Sequence, residues 1–202
     1  NAMPYSLVSD GAGGMYVGGT FTNAGGVLAR RAARWTGSAW TNLGSGMNST
    51  VYGLSVDGAG TVYAGGGFTN AGGVGARRMA KWDGTAWTNL GSGMDSFVMA
   101  VAAYGTGNVY AGGQFIVAGE LWVNFIAEWN GNAWTNLGAG MQNEVMAWAV
   151  NGPGNIYAGG GFSNAWAVSG QRSETGKPLL ASDPHLMPQL PSPWYEMHLE
   201  CP

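Results

Sequence analysis

Short runs of alternating apolar and polar residues recur along most of the chain and predict β-strands separated by turns. No stretch has a helical apolar period long enough to compete with this pattern. In one unit, the predicted strands are Val51–Val56, about Thr61–Phe68, Arg77–Trp82 and Ala86–Leu90. Glycine-containing turn sequences separate these strands. Each unit is therefore predicted to form four short strands.

The unit repeats with a fixed period of 47 residues and no insertion. Tyrosine, paired-glycine and phenylalanine positions coincide in every copy, for example Tyr16, Tyr63, Tyr110 and Tyr157. Two tryptophan positions follow the same step: Trp35, Trp82 and Trp129, then Trp40, Trp87 and Trp134. A period of this length built from strands is typical of a β-propeller with one blade per repeat. We predict an all-β propeller of four-stranded blades, with about 3.5 to 4 blades per chain at residues 4–47, 51–94, 98–141 and, in part, from 145.

The motif, taken from the second unit, is a hydrophobic residue followed by Tyr-x-Gly-Gly, an apolar strand ending in Trp-Asp-Gly, and then Trp-x-x-Leu, as in Val62–Gly66, Trp82–Gly84 and Trp87–Leu90. It resembles the kelch repeat of kelch and galactose-oxidase-type propellers, over about residues 4–162. Kelch propellers are mostly binding and scaffold modules, so the resemblance implies a fold and no particular activity. The paired glycines are expected near the crowded centre of the ring.

Composition narrows the function classes. Only 9% of the residues are charged and the net charge is −3, which argues against partners such as nucleic acid or an anionic membrane surface. Cys201 is the single cysteine, so a disulfide framework and a thiolate metal site are excluded. Asp10, Asp57 and Asp83 lie in turns and lack the acidic alternation of a calcium loop. We expect no metal and no cofactor.

The first three residues resemble a remnant of tag cleavage, so a trimmed signal peptide remains compatible with the sequence. The compartment is therefore left open. A secreted or periplasmic location is favoured if a signal peptide was removed.

Two sets of repeated residues allow a binding interpretation. Arg30 and Arg31 recur as Arg77 and Arg78 but not in the third unit, and they are the best polar candidates for binding a neutral or acidic small molecule or glycan near the glycine pairs. The alternative, which we favour, is that they are solvated strand positions. The second repeated tryptophan position, which we call the second tryptophan set, could stack on sugars. It consists of Trp40, Trp87 and Trp134. Its repetition in every copy favours packing between blades instead.

The composition changes near Ala165: 35 of the 37 glycines precede it, and six of the eight prolines follow Gly176. This break marks a junction. The following segment resembles the start of the catalytic β chain of penicillin acylases, which are bacterial N-terminal-nucleophile (Ntn) hydrolases. The resemblance covers residues 163–202 and rests on Ser163–Trp166, Gly170, Arg172, Thr175–Pro178, Asp183–Leu186, Pro191, Ser192, Trp194 and Tyr195.

The resemblance implies that Ser163 would be the nucleophile, activated by its own α-amine once the precursor is cut. Three features argue against activity: Phe162 replaces a small residue, Ser182 replaces an asparagine, and the family's oxyanion-hole asparagine would lie beyond Pro202. His185 and His198 have no acidic partners in the sequence pattern and are interpreted as structural or exposed.

We therefore expect a non-catalytic propeller module, which is a chimeric or truncated gene product. The alternative is a fragment of a penicillin-acylase-like amide hydrolase, inactive as it stands. The question of enzyme activity is left open, with the balance against it. The tail could complete the last blade through a hairpin of Trp166–Ser169 and Pro178–Ala181. We expect two chains to join as a homodimer that closes a ring of about eight blades.

Overall fold

The computed structural model of the chain describes residues 2–150, 155–160, 163–168 and 179–182, and every regular element in these ranges is a β-strand. Sixteen of the strands form four antiparallel sheets of four strands each. Each sheet corresponds to one repeat, so the predicted all-β propeller of four-stranded, 47-residue blades is confirmed. No helix in the described ranges is long and apolar enough to cross a membrane.

The four blades follow one another along the chain. Blade 1 contains β1 (Pro4–Ser9), β2 (Met15–Gly19), β5 (Ala32–Trp35) and β6 (Trp40–Asn42). Blade 2 contains β7 (Val51–Val56), β8 (Val62–Gly66), β11 (Met79–Trp82) and β12 (Trp87–Asn89). Blade 3 contains β13 (Val98–Tyr104), β14 (Asn108–Gly113), β17 (Ile126–Trp129) and β18 (Trp134–Asn136). Blade 4 contains β19 (Ala147–Val150), β20 (Asn155–Gly160), β21 (Ser163–Val168) and β22 (Leu179–Ser182).

A small hairpin lies between the second and third strands of each of the first three blades. The hairpins are β3 (Asn23–Ala24) with β4 (Val27–Leu28), β9 (Asn70–Ala71) with β10 (Val74–Gly75), and β15 (Val117–Ala118) with β16 (Leu121–Trp122). Their turns contain glycine pairs or a glycine at positive φ, such as Gly72 and Gly73. Single bridges join Met47 to Ala71 and Met94 to Ala118, so each of these methionines ties one blade to the hairpin of the next.

The first strand of each blade is the inner one. β1 contacts β7, β7 contacts β13, and β13 contacts β19, in chain order. The core lies between consecutive blades: one cluster joins Leu43 of blade 1 to Leu54 and Trp87 of blade 2. The next cluster joins Tyr63 of blade 2 to Val98 and other residues of blade 3. Stability therefore depends on stacking of blades, as in other repeat proteins.

One strand boundary differs from the sequence expectations. The third strand of blade 2 begins at Met79 rather than Arg77, because Arg78 has a positive φ that a strand does not accept. The paired glycines were expected in the second strand, at a close approach of backbones near the crowded centre of the ring; the strand and the close approach are confirmed, and the position relative to the centre stays a prediction. They lie in the second strand, where Gly65 faces Val98 and Val101 of the next blade.

The tail joins the fourth blade through backbone pairing. β21 pairs with β20 from Ser163↔Gly160 to Val168↔Asn155, and β22 pairs with β21 from Leu179↔Val168 to Ser182↔Ala165. The segment after the composition break therefore supplies the third and fourth strands of blade 4.

Candidate functional site

The arginines proposed from the sequence lie at the edge of each blade where the second strand ends with its glycine pair and the third strand begins. In blade 2, the backbone N–H of Gly66 donates to the carbonyl oxygen of Arg78 at 3.0 Å, and that of Gly67 donates to Thr50 at 2.9 Å. These bonds bring together the end of the second strand, the start of the third and the residue before the first. We call this surface the loop face: in blade 2 it consists of Thr50, Gly66, Gly67, Arg77 and Arg78, with the equivalent residues of the other blades.

Arg31 and Arg78 have unusual backbone conformations. Their φ angles are 69° and 66°, in the left-handed region that side chains other than glycine rarely adopt. The third blade has Phe125 at the equivalent position with φ 71°, preceded by Asn124 with φ 45°. These four are the non-glycine residues with positive φ in the described ranges, whereas 19 glycines there also have positive φ.

The backbone explains how this conformation persists. The N–H of Arg78 donates to the carbonyl of Phe68 at 2.8 Å, while its own carbonyl accepts from Gly66. Arg31 makes the same two bonds with Phe21 and Gly19. The left-handed residue thus closes the turn between the second and third strands with both backbone groups satisfied. Nothing in that backbone role requires arginine, since Phe125 performs it in blade 3.

The two arginine pairs divide into exposed and partly buried members. Arg30 and Arg77 are exposed, and Arg31 and Arg78 are half-buried. Arg31 donates from Nη1 to the carbonyl of Met47 at 3.2 Å. The Nε of Arg78 is buried with no hydrogen-bond partner among the described residues. The arginines were interpreted as solvated strand positions, and this fits them only in part. All four directly precede the third strand of their blade, and two of them are half-buried.

Arg34, three residues after Arg31, lies within β5 rather than on the loop face. It forms an ion pair from Nη2 to Oδ2 of Asp10 at 2.6 Å, and its guanidinium carbon lies 5.4 Å from the centre of the Tyr16 ring. The hydrogen bond from Arg34 lowers the pKa of Asp10, and backbone N–H groups of Ala12 and Gly14 act in the same direction. Arg34 is thus occupied by a structural contact.

A row of aromatic side chains on the loop face was not predicted. Tyr5 and Tyr52 meet edge to face with ring centres 5.5 Å apart, and Tyr52 meets Phe97 at 6.2 Å. Tyr5 is 48% exposed and Phe97 40%. A Cβ on Gly67 would lie only 3.3 Å from the Phe97 ring, so the row borders the glycine pair. Comparison of equivalent repeat positions does not find this row, because Phe97 is equivalent to Thr50 and not to Tyr52.

The second tryptophan set serves packing in blades 2 and 3. Trp87 and Trp134 are buried, and each donates its Nε1–H at 2.9 Å to a carbonyl of the preceding blade, that of Leu43 or Leu90. Buried indole faces offer no surface to a sugar. Trp40, in blade 1, is half-buried.

The aspartates act within turns. Asp57 is buried and accepts backbone hydrogen bonds from Ala59, Thr61 and Gly107, and one from the Tyr63 hydroxyl. Burial, followed by the Asp57 charge, raises the pKa of Tyr63. Within the described ranges no three His, Cys, Asp or Glu side chains are grouped so as to hold a metal ion.

Ser163 is the first residue of β21, where its backbone is paired with Gly160. In the uncut chain its nitrogen is part of the peptide bond to Phe162, so it has no free α-amine to act as a base. His185 and His198 lie outside the described residues.

Comparison with protein families gives a match to the penicillin amidase model over residues 25–202, most of the chain. The chain belongs to the penicillin amidase family. The match includes most of the propeller as well as the tail. A curated relative, the penicillin acylase 2 proenzyme of Pseudomonas sp. (strain SE83), is 46% identical over 41 residues. These make up 20% of this chain and 5% of the proenzyme, so the chain spans a small part of that relative.

Solved structures support the propeller fold of this penicillin amidase family member. It resembles the structure of U3-55K, with a TM-score of 0.57 and 13% identity over 89% of this chain and 54% of the other. It also resembles the WD40 repeats of RRP9, with a TM-score of 0.56 and 13% identity over 89% and 53%. The chain thus spans about half the length of each of these propellers. At this identity the likeness shows the fold alone, and the kelch-type assignment stays a prediction.

Proposed function

We propose that the chain is a non-catalytic binding or scaffold module whose loop face holds a neutral or acidic small molecule or glycan. The observation that carries the proposal is the left-handed backbone at Arg31 and Arg78. A side chain in this conformation costs on the order of 1–2 kcal/mol relative to the ordinary region. The chain uses glycine at most other such positions, so arginine here points to a role for the side chain.

The surroundings of these arginines support the same assignment. Arg30 and Arg77 add two exposed guanidinium groups beside the half-buried pair. Guanidinium binds carboxylates through paired, charge-assisted hydrogen bonds. The row of Tyr5, Tyr52 and Phe97 offers partly exposed ring surface on the same face, and aromatic rings are suited to stacking against sugars. An oligosaccharide with a uronic acid unit would use both features.

The test compares binding of a uronic-acid oligosaccharide and its neutral counterpart by calorimetry. Replacing both exposed arginines, Arg30→Ala with Arg77→Ala, should weaken binding of the acidic ligand about tenfold or more, the loss expected for charge-assisted hydrogen bonds. Lys81→Ala is the control for a general charge effect, because it removes one positive charge from within β11, away from the loop face. Equal affinities for the wild type and the double variant would contradict the arginine assignment.

The aromatic row has its own test. Tyr52→Ala should weaken binding of the acidic and the neutral oligosaccharide alike, because stacking does not depend on the ligand's charge. Leu28→Ala, on the hairpin of blade 1, removes an exposed apolar side chain elsewhere and should leave both affinities unchanged. Failure of a broad panel of glycans and carboxylates to bind or to raise the melting temperature would contradict the binding-module proposal.

The second candidate function is amide hydrolysis by a chain cut before Ser163. It is supported by the family membership and by the proenzyme relative. Cleavage of the Phe162–Ser163 bond would free the α-amine of Ser163 and separate β20 from β21 along the chain, although the backbone pairing of these strands could hold the pieces together. Cleavage at a different bond would not create this nucleophile.

Mass spectrometry of the purified protein, with an assay on a chromogenic acyl anilide, tests the hydrolase candidate. It requires two fragments divided at Ser163 and an activity that is lost in Ser163→Ala. An intact, inactive chain contradicts it and leaves the binding module. In that case we propose that the joining of propeller and acylase-like sequence reflects a chimeric gene product.

A further inference from the structure

Each contact between consecutive blades has the same two halves. One half is the first glycine of the pair in the second strand, which leaves a hollow. The other half is a pair of apolar side chains from the inner strand of the next blade. A Cβ on Gly18 would lie 2.5 Å from Val51 and 3.2 Å from Leu54. Gly65 faces Val98 and Val101 in the same way, and Gly112 faces Val145 and Trp148.

The two ends of the arc each carry one half of this contact without the other. Forty-seven residues before Val51 and Leu54 stand Pro4 and Leu7. Leu7 is 62% exposed, whereas Leu54 is 6% exposed. Met15 is also partly exposed there, and with Leu7, Val8 and Gly14 it lines an open cavity of about 280 Å³. Blade 1 thus presents apolar side chains whose equivalents in the following blades are buried or partly buried.

Blade 4 presents the hollow. Gly159 is equivalent to Gly18, Gly65 and Gly112, and no heavy atom of the described residues lies within 4 Å of a Cβ built on it. The hollow that is filled in the three contacts inside the chain thus has no occupant among the described residues at its fourth occurrence. The neighbouring Ala158 is buried, as strand residues at the equivalent positions of the other blades are.

Trp40 adds a polar feature to the blade 1 surface. Its equivalents Trp87 and Trp134 each donate the indole N–H to a carbonyl of the preceding blade. The indole of Trp40 makes no hydrogen bond to a described residue and is only half-buried. A preceding blade would supply both the missing cover and a carbonyl acceptor.

We propose that the blade that covers this surface is blade 4 of a second copy of the same chain. In the resulting two-fold dimer, Leu7 of each copy packs on Gly159 of the partner subunit, and the two arcs close one ring of eight blades. A second copy fits because blade 1 and blade 4 carry the two complementary sides of a contact that the chain already makes three times between its own blades. Eight blades lie within the range that propellers adopt.

The likeness to WD40 propellers supports this geometry. The chain aligns over 89% of its own length with only 53–54% of each of the two propellers. A propeller chain of about twice this length accommodates the four blades, which is the length that two joined copies would supply. This proposal does not depend on the ligand of the loop face.

Light scattering coupled to size-exclusion chromatography tests the dimer. The expected mass is twice the 20.9 kDa of one chain. Leu7→Asp and Gly159→Phe should each produce monomers, because one puts a charge into the contact and the other fills the hollow. The controls Leu28→Asp and Gly75→Phe should remain dimers, since Leu28 is exposed on a hairpin and a Cβ on Gly75 meets no atom within 4 Å.

Mixing the two monomeric variants gives a sharper result. A mixed pair retains one wild-type contact, between Leu7 of the Gly159→Phe chain and Gly159 of the Leu7→Asp chain, so a fraction of dimer should reappear. A wild-type mass of one chain would overturn the proposal. So would a mass that grows steadily with concentration, because it indicates open head-to-tail assembly.

Cross-linking keeps the test valid if a variant fails to fold. In a Cys201→Ser background, Leu7→Cys combined with Gly159→Cys should give a covalent dimer with a short bis-maleimide. The same treatment of Leu28→Cys with Gly75→Cys should leave single chains. Equal cross-linking of the two pairs, or none of the first, would contradict the assigned contact.

Discussion

The indole N–H of Trp87 donates a hydrogen bond of 2.9 Å to the carbonyl oxygen of Leu43, which lies 44 residues earlier in the preceding blade. Trp134 makes the same bond to Leu90. Each of these tryptophans also meets the other tryptophan of its own blade, with ring centres 5.4–5.5 Å apart. One side chain per blade thus combines apolar packing with a polar link between blades, which explains the repetition of tryptophan at this position.

Trp87→Phe should lower the free energy of unfolding by about 1–3 kcal/mol, because it removes packed indole surface and one of the two hydrogen bonds that the carbonyl oxygen of Leu43 accepts. The other bond, from the backbone N–H of Gly46 at 3.2 Å, remains. Trp40→Phe is the matched control and should cost less, since Trp40 is half-buried and has no such bond to a described residue. Urea unfolding followed by circular dichroism measures both. Equal losses for the two variants would show that the hydrogen bond between blades contributes nothing measurable.

Gly65→Ala should destabilise the protein by about 1–3 kcal/mol, the usual cost of overpacking a close contact. Its new Cβ would lie 2.5 Å from Val98 and 2.6 Å from Val101, closer than carbon atoms can approach. Gly75→Ala, with open space around the position, should be neutral or slightly stabilising. Melting temperatures of the two variants decide the matter, and an unchanged value for Gly65→Ala would mean that the blades can move apart at no cost.

The sequence was sufficient to predict the fold because the repeat has no insertions. Aligning four copies averages out local ambiguity, so strands as short as Trp87–Asn89 could be located to within a residue or two. The surroundings of the glycine pairs could be predicted only in part. Alternation shows that such a residue lies where backbones approach closely, but not whether the approaching chain belongs to the ring centre or to the next blade.

The loop face was only half predictable. The arginine pairs were visible as a repeated feature, whereas the positive φ of Arg31 and Arg78 was not, because sequence normally signals that conformation through glycine or asparagine. Tyr5 and Tyr52 occupy equivalent repeat positions but Phe97 does not, so comparison of equivalent positions cannot find the row that they form. Contacts between blades create it.

Arg78→Gly should stabilise the protein by about 1 kcal/mol, because glycine adopts positive φ without the steric cost and the unpaired buried Nε is removed. Arg77→Gly tests the specificity of the effect. Arg77 does not have a positive φ, so glycine there should only increase the entropy lost on folding and lower stability. Thermal unfolding compares the two neighbours. A loss of stability in Arg78→Gly would mean that contacts of the arginine side chain outweigh the backbone strain.

The turn at Asp83 should make part of the protein's stability depend on pH. Its Oδ1 accepts hydrogen bonds from the backbone N–H of Ala86 and from both the hydroxyl and the N–H of Thr85, at 2.7–2.8 Å. The bond from Ala86, followed by those from Thr85, lowers the pKa of Asp83 to about 2 from its ordinary 3.8. Since the pKa is lower in the folded state, the carboxylate stabilises the fold above about pH 4. That contribution is lost as the pH falls from about 4 to about 2.

Asp83→Asn separates the charge from the hydrogen bonds, and the chain contains its own precedent. In blade 3 the equivalent Asn130 accepts from the backbone N–H groups of Asn132 and Ala133 at 3.1 and 3.0 Å. The variant should therefore keep the turn at neutral pH and lose less stability than the wild type between pH 4 and pH 2. Asp10, whose pKa is lowered by Arg34, leaves a residual pH dependence in both proteins. Urea midpoints at pH 6, 4, 3 and 2 provide the comparison, with Asp83→Ala as the variant that loses the turn at every pH. Parallel curves for wild type and Asp83→Asn would show that the charge of Asp83 has no part in stability.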